Sequence, residues 1–143
     1  MSETESASPL CFVDTNIWLY AFVSGPDKAK SAAARQLLRQ NEATIVISSQ
    51  VVNEVCVNLL KKTPLLEAGV RRIVRSFYEK YPVVTLGQPV QLAASHLRER
   101  FSLSFWDSLI VAAAMHGGVS ILYSEDMQPG LKVSETLSIV SPF

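Results

Sequence analysis

Cysteine, histidine, net charge and long apolar runs are all scarce in this chain. Only two cysteines occur in 143 residues, Cys11 and Cys56. That excludes a disulfide framework, and their apolar neighbours mark both as core thiols. The two histidines, His96 and His116, are isolated, so no Cys/His spacing suits zinc. His116, just before two glycines, reads as a cation at a helix end rather than a catalytic base. No apolar run reaches the roughly 18 residues that a membrane helix needs. Residues 1–9 carry Glu3 and Glu5 with neither a basic cluster nor an apolar core, so they read as a flexible tail and not as a signal peptide. Formal net charge is zero, so no global positive field marks a polyanion binder. The expected setting is cytoplasmic and reducing, with no membrane.

What the chain has in plenty is apolar side chain. Hydrophobic residues make up 48% and charged ones 18%, at a mean hydropathy of +0.21. Residues 10–143 suffice for one domain with a packed core. Low charge on so small a body implies that apolar surface is covered by another subunit, and a homodimer is expected.

Strand-like and helical stretches alternate. Leu10 to Val13 is a short apolar strand, ended by the helix-capping residues Asp14, Thr15 and Asn16. A helix follows through Ile17 to Phe22, then one from Lys28 to Gln40 capped by Asp27. Residues 43–47 are β-branched and read as a strand buried on both faces. Ser48 and Ser49 open a helix to Lys62, with Val51, Val52, Val55, Cys56, Leu59 and Leu60 at helical spacing. Pro64 restarts the chain into a helix over 65–81, which Pro82 ends. Residues 83–86 form a third strand and 89–101 a helix. Phe105 to His116 is apolar nearly all round, as a central helix is, and Gly117-Gly118 stops it. Residues 119–123 and 138–140 complete the strands. This alternation predicts an α/β fold, a three-layer sandwich around a mostly parallel, about five-stranded sheet.

Four acids lie at the rims of these apolar segments: Asp14, Glu54, Asp107 and Asp126. A carboxylate is seldom buried unless it is paired or holds a metal. Asp14 and Asp126 each follow the carboxyl end of a strand, where open α/β sheets place their ligand crevice. A helix cap for Asp14 and a turn for Asp126 are the simpler explanations of each alone. Ser104 and Asp107 have the spacing of a capping box, which is compatible with Asp107 facing a crevice from the first turn of a buried helix. Glu54 lies off the apolar stripe of its helix, on a face with Asn58 and Lys61, and plain solvent exposure accounts for it equally well.

The ordered words Asp14-Thr15-Asn16, Asn53-Glu54-Val55, Trp106-Asp107 opening an Ala-rich helix, and Ser124-Glu125-Asp126 resemble those of PIN-domain ribonucleases of the VapC toxin type. The resemblance runs from Cys11 to Val140. It implies a PIN-like fold and metal-dependent hydrolysis of RNA phosphodiester bonds. Asp14, Glu54, Asp107 and Asp126 would then be the catalytic, metal-holding acids, with Mg²⁺ or Mn²⁺ as cofactor. Thr15, Asn16, Ser124 and Glu125 would support them, Glu125 being the alternative to Asp126 as fourth ligand. The partners implied are an RNA substrate and a cognate antitoxin protein. A role in RNA maturation, outside any toxin–antitoxin pair, fits the same words.

Between Lys61 and Lys80, six basic residues (Lys61, Lys62, Arg71, Arg72, Arg75, Lys80) exceed two acidic ones (Glu67, Glu79), a local excess of four. This is the candidate surface for an RNA backbone. Two rival readings exist. A phospho-receiver module also sets acids at strand ends, but needs one after its middle strand, where this chain has Thr85-Leu86-Gly87. A PIN-like domain that binds without cutting would not need all four acids.

Overall fold

The computed structural model describes residues 9–128 and 130–143. All of the expected tail except Pro9 lies outside the described residues. In chain order the elements are β1 (Cys11–Val13), α1 (Thr15–Phe22), α2 (Lys28–Asn41), β2 (Ile45–Ser48), α3 (Ser49–Lys62), α4 (Glu67–Lys80), β3 (Val83–Val84), α5 (Gln88–Arg100), α6 (Phe105–His116), β4 (Ile121–Tyr123) and β5 (Ser138–Val140).

The strands form one sheet in the order β3-β2-β1-β4-β5. Every pairing in it is parallel, which goes further than the mostly parallel sheet expected. Consecutive strand residues point to opposite faces. Cys11, Phe12 and Val13 are all buried, as is the whole of β2, so helices cover the sheet on both sides. The chain builds outward from β1 to β2 and β3, then returns to lay down β4 and β5 on the other side of β1. The reversal makes the carboxyl ends of β1 and β4 a switch point, the place where such sheets open a crevice.

Helix α6 packs against β2 and β3 as well as α5, and Leu109 to Ala114 are buried without interruption. Gly117 ends the helix where the sheet is close: a Cβ there would lie 2.9 Å from Val46 Cγ1. Gly118 follows at φ 73°, a conformation that costs glycine little. An aromatic cluster joins α1 to α4. Trp18 meets Phe77 edge-on at 5.0 Å, and its indole N–H donates to the Val13 carbonyl at 3.1 Å. Both cysteines are buried free thiols.

Several boundaries differ from the sequence expectation. Residues 42–44 form a 3-10 turn, so β2 begins at Ile45 rather than at 43. Helix α4 begins at Glu67 because Leu66 is extended and the Leu65 N–H is held by the Thr63 hydroxyl. Strand β3 is two residues long, since Gly87 N–H donates back to the Thr85 carbonyl and the chain turns there. Strand β4 starts at Ile121, because Val119 N–H is still bonded to the Ala114 carbonyl of the preceding helix.

Candidate active site

Strand register sets the first contact. Val13 pairs with Tyr123 across β1 and β4, so Asp14 and Ser124 leave the sheet side by side. The buried Ser124 hydroxyl donates to Oδ2 of Asp14 at 2.9 Å, and Thr15 N–H donates to Oδ1 at 2.7 Å. Asp14 is therefore the N-cap of α1 and at the same time one wall of a crevice.

Strand β2, on the other side of β1, launches α3 from the Ser48 cap. One and a half turns on, Glu54 is half-buried rather than solvent-facing. Its Oε1 accepts from the Thr15 hydroxyl at 2.6 Å, and its Oε2 from the Gln50 amide at 3.3 Å. The same amide donates to the Trp106 carbonyl at 3.3 Å, which ties α3 to the start of α6. Asp107 stands in that first turn. Its N–H is capped by the Ser104 hydroxyl at 3.0 Å, but among the described residues the reciprocal bond of a capping box is absent. Its carboxylate faces the crevice instead. Asp126 arrives from the turn after β4 and accepts a hydrogen bond from the Asn16 side-chain amide.

All four carboxylates line one cleft of about 210 Å³, with Thr15, Asn16, Gln50, Asn58, Trp106 and Ile110. Burial raises the Asp14 pKa from 3.8 to about 6. The negative charges of Glu54 and Asp107 add to the rise, and the hydrogen bonds from Thr15 and Ser124 oppose it. Glu125 goes elsewhere. It takes a hydrogen bond from Tyr20 Oη at 3.0 Å and an ion pair from Lys30, and it does not line the cleft.

The donor set is entirely hard oxygen, which suits Mg²⁺ or Mn²⁺. No group of three Asp, Glu, His or Cys side chains among the described residues is arranged to hold an ion directly. Mg²⁺ takes few protein ligands and keeps several of its waters, and a cleft lined by these four acids has room for such a hydrated ion.

Of the two basic residues beside the acids, one belongs to the expected group and one does not. Of the Lys61–Lys80 group, Lys62 shares a groove of about 500 Å³ with Asp126. Arg100, at the end of α5, shares a cavity of about 310 Å³ with Asp107 and Asp126. Arg71, Arg72 and Arg75 are exposed on α4 and line neither. Gln50 is a further residue of the cleft, and its spacing of four from Glu54 on one helix face is a sequence signal. Arg100 left none, because only the fold brings the end of α5 to the cleft.

The family model described as PIN domain matches residues 11–129. A comparison with curated protein sequences finds no match. Solved structures resemble the chain along most of its length. A toxin–antitoxin complex from Klebsiella pneumoniae is 22% identical, covering 93% of this chain and 98% of that one, with a TM-score of 0.69. Mycobacterium tuberculosis VapC20, described as a sarcin-ricin loop cleaving toxin, is 19% identical over 81% and 89%, at 0.67. DNA-bound VapBC from Salmonella typhimurium is 15% identical over 95% and 100%, at 0.68. At these identities the likeness establishes the fold.

Proposed function

The chain belongs to the PIN-domain family, and from that premise we propose that it is a metal-dependent endoribonuclease, the toxin of a toxin–antitoxin pair. One observation carries the reading. Four carboxylates from four separate stretches line a single cleft at the sheet's switch point, and burial, with a smaller push from Glu54 and Asp107, holds Asp14 well above the ordinary carboxylate pKa. So much unneutralised negative charge is costly without a cation.

Asp14, Glu54, Asp107 and Asp126 would hold Mg²⁺ or Mn²⁺. When bound, such an ion lowers the pKa of water and offsets charge on a phosphodiester. The chain's own residues supply geometry. Ser124 aims Asp14, Thr15 and Gln50 fix both oxygens of Glu54, and Asn16 steadies Asp126. Lys62 and Arg100 flank the acids and draw in a polyanion that those acids would otherwise repel. Among the described residues no histidine lines the cleft, and proton transfer would run through water and carboxylate.

The antitoxin would occupy the groove lined by Leu19, Tyr20, Val23, Leu59 and Lys62, which opens beside Asp126. A basic side chain from it would reach the acids. Val57, Leu60 and Leu66 leave apolar surface exposed around α3 and the start of α4, and a second copy of the chain would cover it. Incubating the protein with a pool of RNAs tests the activity. Cutting in Mg²⁺ or Mn²⁺ that stops with chelator is expected. A folded protein that cuts nothing in either metal would overturn it.

A further inference from the structure

Trp106 is 62% exposed, an uncommon position for the largest apolar side chain, and its surroundings are built rather than loose. Phe105 meets the indole edge-on, with ring centroids 5.3 Å apart. The Arg98 guanidinium covers Phe105 at 4.5 Å from its centroid, and Arg98 is itself held by the fully buried Ser108 hydroxyl at 2.7 Å. From below, Gln50 grips the Trp106 carbonyl with the same amide that orients Glu54. Among the described residues Phe105 is the indole's only ring neighbour, so the packing props the ring without using it up.

The indole also borders a second cavity of about 450 Å³, formed with Ser49, Gln50, Asn53, Glu54 and Leu86. This cavity shares Gln50, Glu54 and Trp106 with the acidic cleft. We propose that it is a nucleobase slot in which Trp106 stacks the unpaired base next to the phosphodiester held at the acids. The proposal rests on the ribonuclease reading above.

Three features favour a base over an apolar side chain of a partner. The slot adjoins the cleft across Gln50, Glu54 and Trp106, so a backbone lying across the acids brings its adjoining nucleotide near the indole. Its rim carries Ser49 and Asn53, which suit hydrogen bonds to base edges. The Arg98 guanidinium is committed to Phe105 and the Ser108 hydroxyl, which holds the aromatic pair in place for a flat ligand. Bases that stack on a side chain must first leave their own helix, so the slot selects single-stranded or looped RNA.

The test uses the full chain as wild type, Trp106→Ala and Trp106→Phe, each also carrying Asp14→Asn for the binding measurements so that RNA survives in Mg²⁺. Trp18 is buried, so quenching of indole emission by added ligand reports on Trp106. A single-stranded RNA oligonucleotide should quench it, while an abasic ribose-phosphate oligomer of equal length should not. Trp106→Ala should weaken RNA binding by roughly tenfold or more, and Trp106→Phe should restore most of it. With Asp14 intact, Trp106→Ala should raise KM and leave kcat nearly unchanged. RNA that is cut normally while Trp106→Ala changes neither KM nor affinity would overturn the slot alone. Equal quenching by the abasic oligomer would overturn it too. So would a dimer that Trp106→Ala dissociates while RNA leaves the emission of wild type unaltered, since the ring would then be an interface. Failure of wild type to bind any RNA would overturn both slot and nuclease.

Discussion

The Thr15 hydroxyl donates a 2.6 Å hydrogen bond to Oε1 of Glu54, 39 residues away in sequence. Thr15 is 93% buried, at 7% relative exposure, and it opens the helix that Asp14 caps. One hydroxyl thus couples the acid after β1 to the acid on α3. Thr15→Val keeps the shape and removes the bond. Cleavage should fall about tenfold or more, with stability changed by only about 1 kcal/mol, and Thr15→Ser should retain activity. Single-turnover rates measured beside urea melts check this. An active Thr15→Val would mean that Glu54 needs no orienting.

Metal-free stability should depend on pH through Asp14. Its folded pKa of about 6 exceeds the ordinary 3.8, so the folded chain keeps a proton that the unfolded chain releases. The contribution to stability is complete below about pH 4 and fades as pH rises through 6. In chelator at pH 7.5, Asp14→Asn should therefore be more stable than wild type, by about 1–2 kcal/mol after discounting for solvent. The advantage should vanish near pH 4. Urea denaturation at the two pH values decides it, and a variant destabilised at both would mean that burial of the Asp14 charge costs the fold nothing.

Mg²⁺ or Mn²⁺ should raise the melting temperature of wild type by mass action. Protons compete for Asp14, so the rise should shrink as pH falls below 6. Asp14→Asn should show little of it. Calorimetry with and without metal at pH 5 and 7.5 provides the readout. Identical metal responses in wild type and variant would separate the ion from this cleft.

Adjacent acids after β4 should behave oppositely. Glu125 is occupied by Tyr20 and Lys30, whereas Asp126 lines the cleft. Glu125→Gln should lower the melting temperature and leave cutting within about twofold, while Asp126→Asn should cost about tenfold or more in cutting and little in stability. The reverse order would make Glu125 the fourth ligand.

Much of the fold was legible because local and global signals agree in it. The cap at Ser104 and the double glycine after His116 bound α6 as expected, and the β-branched run before Ser49 marked a strand buried on both faces. Element edges failed where tertiary or turn hydrogen bonds overrode pattern, as at Leu66 and Gly87. Strand order was not readable at all, and strand order is what brings Asp14 next to Ser124. The acids could be named from their positions at segment rims and from family words. Thr15, Asn16 and Ser124 could be named with them, and Gln50 lies four residues before Glu54 on one helix, but Arg100 could not, because only the fold brings the end of α5 to the cleft. Glu54 is instructive, since a face that reads as solvent-exposed on a helical wheel is covered by Thr15 from α1 and by Gln50 one turn back on its own helix.

Hydrolysis of RNA at the acidic cleft is tested most directly by single-turnover cleavage in Mg²⁺ by wild type and Asp14→Asn. Asparagine keeps the cap on Thr15 N–H but gives up a charge and a strong metal ligand. A loss of ~3 kcal/mol of transition-state stabilisation predicts cutting roughly a hundredfold slower in a variant that remains folded. Cutting at the wild-type rate by folded Asp14→Asn would contradict the account.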